Sequence, residues 1–284
     1  MSERRVMDKV WLRRFTFRGF LLVSLLALPC LTMAEFKKGP YLVYKNNQTQ
    51  MTIMWEQAAS GAGVVSWGSS TAYGSSGTGT VVSANLYRYN ITGLTPGQKV
   101  FYKVVANGKT AQNFFYAVPN HTNAVTLYAG GDSRDGTVNK GHSLTEQVFS
   151  RMLTDIDQNQ AARNTLMLFS GDMVNVGNSD TDWQKWFKPE YSGYSSTPSM
   201  TAFFQRIPIM NTIGNHETYA NDSSNLDLTA AKTRKFYPYS YVNISNGLYY
   251  TFTYGPVRIL VIDNERSISA GSAQYQWIEN TLVP

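Results

Sequence analysis

Three places in the chain join an apolar run to a glycine and then to a side chain able to hold a metal ion or a proton. Residues 125–128 lead through Ala129, Gly130 and Gly131 into Asp132; residues 165–170 lead into Gly171 and Asp172; residues 209–213 lead into Gly214, Asn215, His216 and Glu217. A buried strand that stops at a glycine delivers polar side chains to its exposed tip, and in layered α/β domains ligands bind where strands end. Asp132, Asp172 and Asn215 are 40 and 43 residues apart, room each time for a strand, a helix and a return. If the three strands are neighbours, their tips converge. Carboxylate and amide oxygens with an imidazole suit cations such as Zn, Mn or Fe, and one carboxylate can bridge two of them. Two ions ~3.5–4 Å apart clamp the attacking and leaving oxygens of a phosphoryl transfer. Either Asp alone reads as a turn residue or a cap; the weight lies on the three together. No P-loop glycine pattern accompanies them.

The elements that must position these residues follow a linker at residues 119–123, in which His121 reads as a solvated residue. Residues 125–128 and 165–170 read as strands. Between them Ser143, Leu144, Thr145 and Glu146 form a capping-box sequence opening a helix that reaches about Gln158. Residues 182–187 place Trp183, Trp186 and Phe187 on one helical face, and residues 200–205 lead into a strand at 207–212. Residues 248–254 and 257–262 form a strand pair across Gly255 and Pro256, and a last helix begins near Ser272. This alternation is that of an α/β layered domain.

Residues 36–118 have another texture. Short β-branched and aromatic runs at 50–55, 64–67, 86–91 and 100–105 are separated by Gly, Ser and Thr, above all at 74–79. That spacing, with no helical period, predicts a small antiparallel sandwich. No chemistry is expected of it beyond support.

The formal charge of +6 is concentrated at the start of the 284-residue chain. Arg4, Arg5, Lys9, Arg13, Arg14 and Arg18 stand against Glu3 and Asp8, and the remaining 19 basic and 17 acidic residues leave a nearly neutral body. A nucleic-acid footprint is not supported. The basic segment precedes the uncharged residues 19–34, which predicts an export signal cleaved after Ala34, in preference to a membrane anchor. Cys30 could instead carry a lipid, although Pro29 before it fits that pattern poorly. The processed chain would contain no cysteine and no membrane span.

Gly131-Asp132, Gly171-Asp172 and Gly214-Asn215-His216-Glu217, in this order and spacing, resemble the first three motifs of the calcineurin-like metallophosphoesterases. The leading sandwich and Gly39-Pro40-Tyr41-Leu42 are similar to the purple acid phosphatase branch. Leu94-Thr95-Pro96-Gly97 and the run after it resemble a fibronectin type III turn and strand, with Val100 where that fold often has its corner tyrosine. The resemblance implies two divalent or trivalent metal ions (Fe, Zn or Mn). Asp132 would bind the first, Asp172 would bridge, and Asn215 would bind the second. His216 would polarise the phosphoryl group or help the leaving oxygen depart, and Glu217 would orient His216. The expected fold is two-domain: a signal peptide at 1–34, an all-β fibronectin III-like sandwich at 35–118, and an incomplete α/β layered metallophosphoesterase domain at 119–284.

Departures from the family pattern add expectations. Arg134 stands where the family often has His or Gly, and either contacts substrate phosphate bidentately or pairs with Asp135. Asn175 stands where purple acid phosphatases place the tyrosine of a coloured iron centre, so no such colour is expected; Arg134 and Asn175 are the candidate substrate-binding residues. His142, ten residues after Asp132, either replaces the ligand lost at Arg134 or is an exposed loop residue. The family completes its site with two later segments carrying three histidines, whereas no histidine follows Glu217. The expectation is a truncated reading frame with weak metal affinity, impaired activity and exposed apolar surface.

The expected function is an exported phosphoesterase, periplasmic or secreted, that uses a metal-bound hydroxide on small-molecule phosphate monoesters. The alternatives are a phosphodiesterase of the same superfamily and a binding or scaffold protein that keeps the fold without turnover.

Overall fold

The computed structural model describes residues 36–134, 141–159, 163–187, 199–218, 226–242 and 248–283, with the side chains of 141–143, 199 and 226–230 left out. The expected signal segment, Cys30 and Asp135 lie outside the described residues.

The first part is a sandwich of two antiparallel sheets. One is ordered β1 (Phe36–Val43), β2 (Met51–Gln57), β6 (Leu86–Ile91), β5 (Thr80–Ser83); the other β4 (Ser75–Thr78), β3 (Val64–Gly68), β7 (Lys99–Ala106), β8 (Lys109–Tyr116). In β7 the side chains of Val100, Tyr102, Val104 and Ala106 are buried and those between them are not, the two-residue period of a strand with one face inward. Trp55 fills the middle, stacked on Tyr87 at 6.0 Å. β4 lies within the glycine-rich stretch expected to be a connection: its backbone pairs with β3 from Thr78 to Ser75, a ladder that needs no apolar side chain.

β1 is buried on both sides. Tyr41, within the Gly-Pro-Tyr-Leu segment, places its ring 4.4 Å from Phe187 and 5.9 Å from Tyr237, and its hydroxyl donates to the Phe236 carbonyl at 2.9 Å. The segment is thus a joint between sandwich and α/β layer. Tyr102 adds a second tie, its hydroxyl donating to the Gln205 carbonyl at 2.9 Å.

The second part has a parallel sheet in the order β11 (Ile209–Asn211), β10 (Thr165–Phe169), β9 (Thr126–Gly130). The strands ending in candidate ligands are therefore adjacent and point the same way. α1 (Gly141–Gln158) connects β9 to β10; it begins two residues before Ser143, so the capping-box residues lie within its first turns. α2 (Asp180–Phe187) buries Trp183, Trp186 and Phe187 completely, the face read from their spacing. These rings pack with Phe204 of α3 (Ser199–Arg206) and Phe236 of α5 (Leu226–Phe236), and Phe203 of α3 stacks on Phe149 of α1; α5 and β8 are not among the elements read from the sequence. β12 (Tyr250–Tyr254) and β13 (Val257–Val261) form a hairpin across Gly255 and Pro256, and α6 (Ala273–Leu282) is capped by Ser272, whose hydroxyl accepts the Tyr275 N–H.

Tyrosine hydroxyls close the β11 edge of the sheet. Tyr250 donates to the Asn211 carbonyl at 2.8 Å, Tyr239 donates to the Ile209 carbonyl, and Tyr254 reaches the Thr165 carbonyl on β10 at 2.9 Å. An open strand edge would otherwise leave these acceptors unsatisfied in an apolar setting. Burial raises all three phenols well above their ordinary range, which keeps them neutral donors.

Candidate metal centre

Two of the candidate ligands sit on turns of the same shape. Asp132 follows Gly130 and Gly131 off β9 with φ +55°, and Asp172 follows Gly171 off β10 with φ +57°. This left-handed region disfavours most side chains and tolerates Asp, whose short polar side chain bonds locally. Backbone strain of this kind, about 1–3 kcal/mol per residue, persists where surrounding bonds over-determine it. Here the Asp132 N–H donates to the Gly171 carbonyl at 3.1 Å and the Ser170 N–H to the Gly130 carbonyl at 2.8 Å, so the ladder of β9 and β10 carries on into the turns.

The two carboxylates meet on one cation. Arg134 Nη1 lies 2.5 Å from an oxygen of Asp132 and 2.6 Å from an oxygen of Asp172. The expected pairing of Arg134 with Asp135 falls partly outside the described residues; the partners present are the two candidate ligands themselves. Asp172 is nearly buried, while Asp132 is open to solvent.

The third loop is bound to the second through its backbone. α4 (Asn215–Thr218) begins where β11 ends, and the His216 N–H donates to Asp172 Oδ1 at 3.1 Å. His216 Nδ1 faces the Asn175 carbonyl oxygen at 2.7 Å. A carbonyl only accepts, so in the neutral ring Nδ1 carries the proton and Nε2 the lone pair, the tautomer of a ligand or proton acceptor. Asn175 therefore acts on the site through its main chain. Asn215 is exposed, adjoining His216 at the start of α4.

Glu217 differs from the expectation that it orients His216. It is fully buried and accepts four main-chain N–H groups: Asp172 at 2.7 Å and Gly214 at 2.8 Å on Oε2, Met173 at 2.7 Å and Val174 at 3.2 Å on Oε1. Burial raises its carboxyl to about 7 against the pull of these donors. The residue is visible in the sequence, but three of its four partners stand more than 40 residues away in the chain. Gly171 and Gly214 allow the approach: a methyl group at Gly214 would overlap the Asp172 carboxylate, and one at Gly171 would overlap the Gly214 backbone.

The donors fit a hard cation. Two carboxylates turned to one positive nitrogen show where such an ion would be gripped, and the guanidinium stands in for it. Among the described residues no three His, Cys, Asp or Glu side chains gather closely enough to enclose an ion. Asp132 and Asp172 are the nucleus of the site, and the Asn215 amide and His216 imidazole are the donors of the adjoining loop. His142 lies in the first turn of α1, not on a free loop, and its side chain is outside the described residues.

A cleft of about 260 Å³ opens beside Asp132 and Ser133, lined by Leu144, Val148, Phe149 and Met152. A wider cleft of about 540 Å³ runs along the sheet to Ile259 and Leu260 and carries no titratable group, so of the two only the smaller is lined by a candidate ligand, Asp132.

Comparison with known proteins gives the family of each part of the chain. A family model for the purple acid phosphatase N-terminal domain matches residues 38–118, and one for calcineurin-like phosphoesterases matches residues 118–283. The structure of purple acid phosphatase PPD1 from yellow lupin (Lupinus luteus) seeds superposes with a TM-score of 0.61 at 18% identity, over 86% of this chain and 48% of that one. The structure of PhoD superposes with a TM-score of 0.57 at 15% identity, over 86% of this chain and 59% of that one. At such identities the likeness is one of fold, and the chain spans about half to three fifths of the length of these two structures. No curated protein matches significantly in sequence.

Proposed function

The chain belongs to the calcineurin-like phosphoesterase family, and on that premise we propose that it is a metal-dependent hydrolase of small phosphate monoesters. The observation that carries this is the convergence of Asp132 and Asp172 on one cation at the mouth of a cleft. Bound metal ions would supply Lewis-acid polarisation of a phosphoryl oxygen and acidify a water molecule.

The chain's own residues do the rest. Asp132, Asp172 and the Asn215 amide hold the ions. His216, its Nδ1–H held by the Asn175 carbonyl, would present Nε2 to the phosphoryl group or the leaving oxygen, donating there only when the ring carries a second proton. Arg134 supplies a planar donor pair to phosphate oxygens. The apolar wall of Leu144, Val148 and Met152 is where the alcohol part of the ester would lie. Preference for monoesters over diesters rests on the purple acid phosphatase-like sandwich. Export rests on the basic and then apolar residues at 1–34; among the described residues no helix is long and apolar enough to cross a membrane.

The test is hydrolysis of para-nitrophenyl phosphate and its bis ester with added Mn²⁺ or Zn²⁺. Metal-dependent release from the monoester is expected. Asp172→Asn should lower it by more than the ~10–100-fold that loss of an outer-shell partner costs. Full-rate turnover in excess chelator, or in Asp172→Asn, would reject the reading. Metal uptake without turnover of either ester would support the binding or scaffold reading, which has the guanidinium between the carboxylates in its favour.

A further inference from the structure

The contact between Arg134 and the two aspartates bears on how the site accepts metal. Asp132 and Asp172 place their oxygens within 2.5 and 2.6 Å of the same Nη1. Like charges held so close require a cation between them, and the chain supplies its own two residues after Asp132. Arg134 suits this, since guanidinium is always charged and donates from a planar fork. A metal ion seated where the two carboxylates converge would occupy the point that the guanidinium fills against Asp132 Oδ1 and Asp172 Oδ2, so the two cations exclude each other there.

We infer that Arg134 is a built-in counter-ion that competes with metal for the Asp132 and Asp172 pair and so sets the metal affinity of the site. The inference rests on the proposed metal-dependent reading. Metal uptake requires the guanidinium to swing out. Its side chain is about one-third exposed, so solvent lies on that path. Tethered beside Asp132, the released group stays within reach of the site, where phosphate oxygens are its natural partners. The arrangement makes metal binding and release of Arg134 one coupled event, with apparent affinity reduced by the fraction of molecules in which the guanidinium is seated.

Calorimetric titration of Mn²⁺ into the full chain, into Arg134→Gln and into Arg134→Lys tests this, with Asp172→Asn as the site-loss control and circular dichroism as the folding check. Arg134→Gln is expected to bind Mn²⁺ more tightly, within the roughly 5–150-fold range of a typical coupling between sites. Arg134→Lys, which keeps the charge but not the fork, should fall between the two. Without added metal the Arg134→Gln melting temperature should drop below that of the parent, and saturating Mn²⁺ should close the gap. Equal or weaker Mn²⁺ binding by folded Arg134→Gln, with the parent binding normally and Asp172→Asn not, overturns the inference and leaves the metal reading standing. If neither the parent nor Arg134→Gln takes up Mn²⁺ while folded, both readings fall together.

Discussion

Glu217 Oε2 accepts the main-chain N–H of Asp172 at 2.7 Å, across 45 residues of chain. In return the main-chain N–H of His216, the neighbour of Glu217, donates to the Asp172 carboxylate. The loops after β10 and β11 are thus cross-linked both ways, and the left-handed backbone of Asp172 is held by a group from another loop. Pre-organisation of this kind allows a pair of like-charged side chains to face one point without relaxing apart.

Glu217→Ala should be among the most destabilising single changes in the chain. It removes the acceptor of four N–H groups around a fully buried carboxylate. Unsatisfied buried donors cost about 1–3 kcal/mol each, so a loss of at least ~3 kcal/mol is expected even if water reaches some of them. Urea unfolding measures it; a change below ~1 kcal/mol, the scale of an ordinary single hydrogen bond, would refute the linking role.

Gly214→Ala should separate the loops without touching any polar side chain. The added methyl would overlap Asp172, and overpacking of this sort costs about 1–3 kcal/mol. Thermal melting should show the loss, and Mn²⁺ binding should weaken with it, because Asp172 must move. Unchanged melting and metal binding together would count against the close approach.

Tyr41→Ala should weaken the joint between sandwich and α/β layer. It deletes ring contacts to Phe187 and Tyr237 and a hydrogen bond to the Phe236 carbonyl. Truncating a buried aromatic costs about 3–5 kcal/mol, and Tyr41→Phe, which loses only the hydroxyl, should cost about 1–3 kcal/mol. Differential scanning calorimetry is expected to broaden or split the Tyr41→Ala transition. A sharp single transition at the parent temperature would show that the joint is carried elsewhere.

Stability should fall as pH rises through the titration of Asp263. Burial raises this carboxyl above the ordinary range, while the Leu248 and Glu265 N–H groups and the positive Arg266 and Arg234 pull it back; Glu265 faces it as a like charge. Below about pH 4, the ordinary aspartate value, both folded and unfolded chains carry the proton and Asp263 contributes no pH dependence. As pH rises, the unfolded chain releases it first, so stability declines until the raised folded value is passed. Urea unfolding of the parent and Asp263→Asn across this window should show the variant gaining relative to the parent with increasing pH. A constant difference would remove the claim.

The strands that carry the site, and their order of appearance, were determined by the sequence alone. β9, β10 and β11 are apolar runs of strand length ended by glycine or a polar residue, and local composition suffices to read them. The helical face of Trp183, Trp186 and Phe187 and the cap at Ser272 follow from periods and caps of the same local kind. β4 escaped notice because its stability lies in backbone pairing with β3, which leaves no mark on side-chain pattern.

Tertiary structure alone decided the partners across the three loops. Arg134 reads from its neighbours as a partner of Asp135 or of substrate, and Glu217 reads as a helper of His216, because sequence shows only what is adjacent along the chain. The parallel order β11, β10, β9 brings tips 40 and 43 residues apart into contact, and Gly171 and Gly214 let their backbones close. Only then does the guanidinium find two carboxylates within reach of one nitrogen, and the Glu217 carboxylate find four N–H groups. Hydrogen bonds and ion pairs act over a few ångströms, so which groups they join is settled by the packing that brings distant segments together.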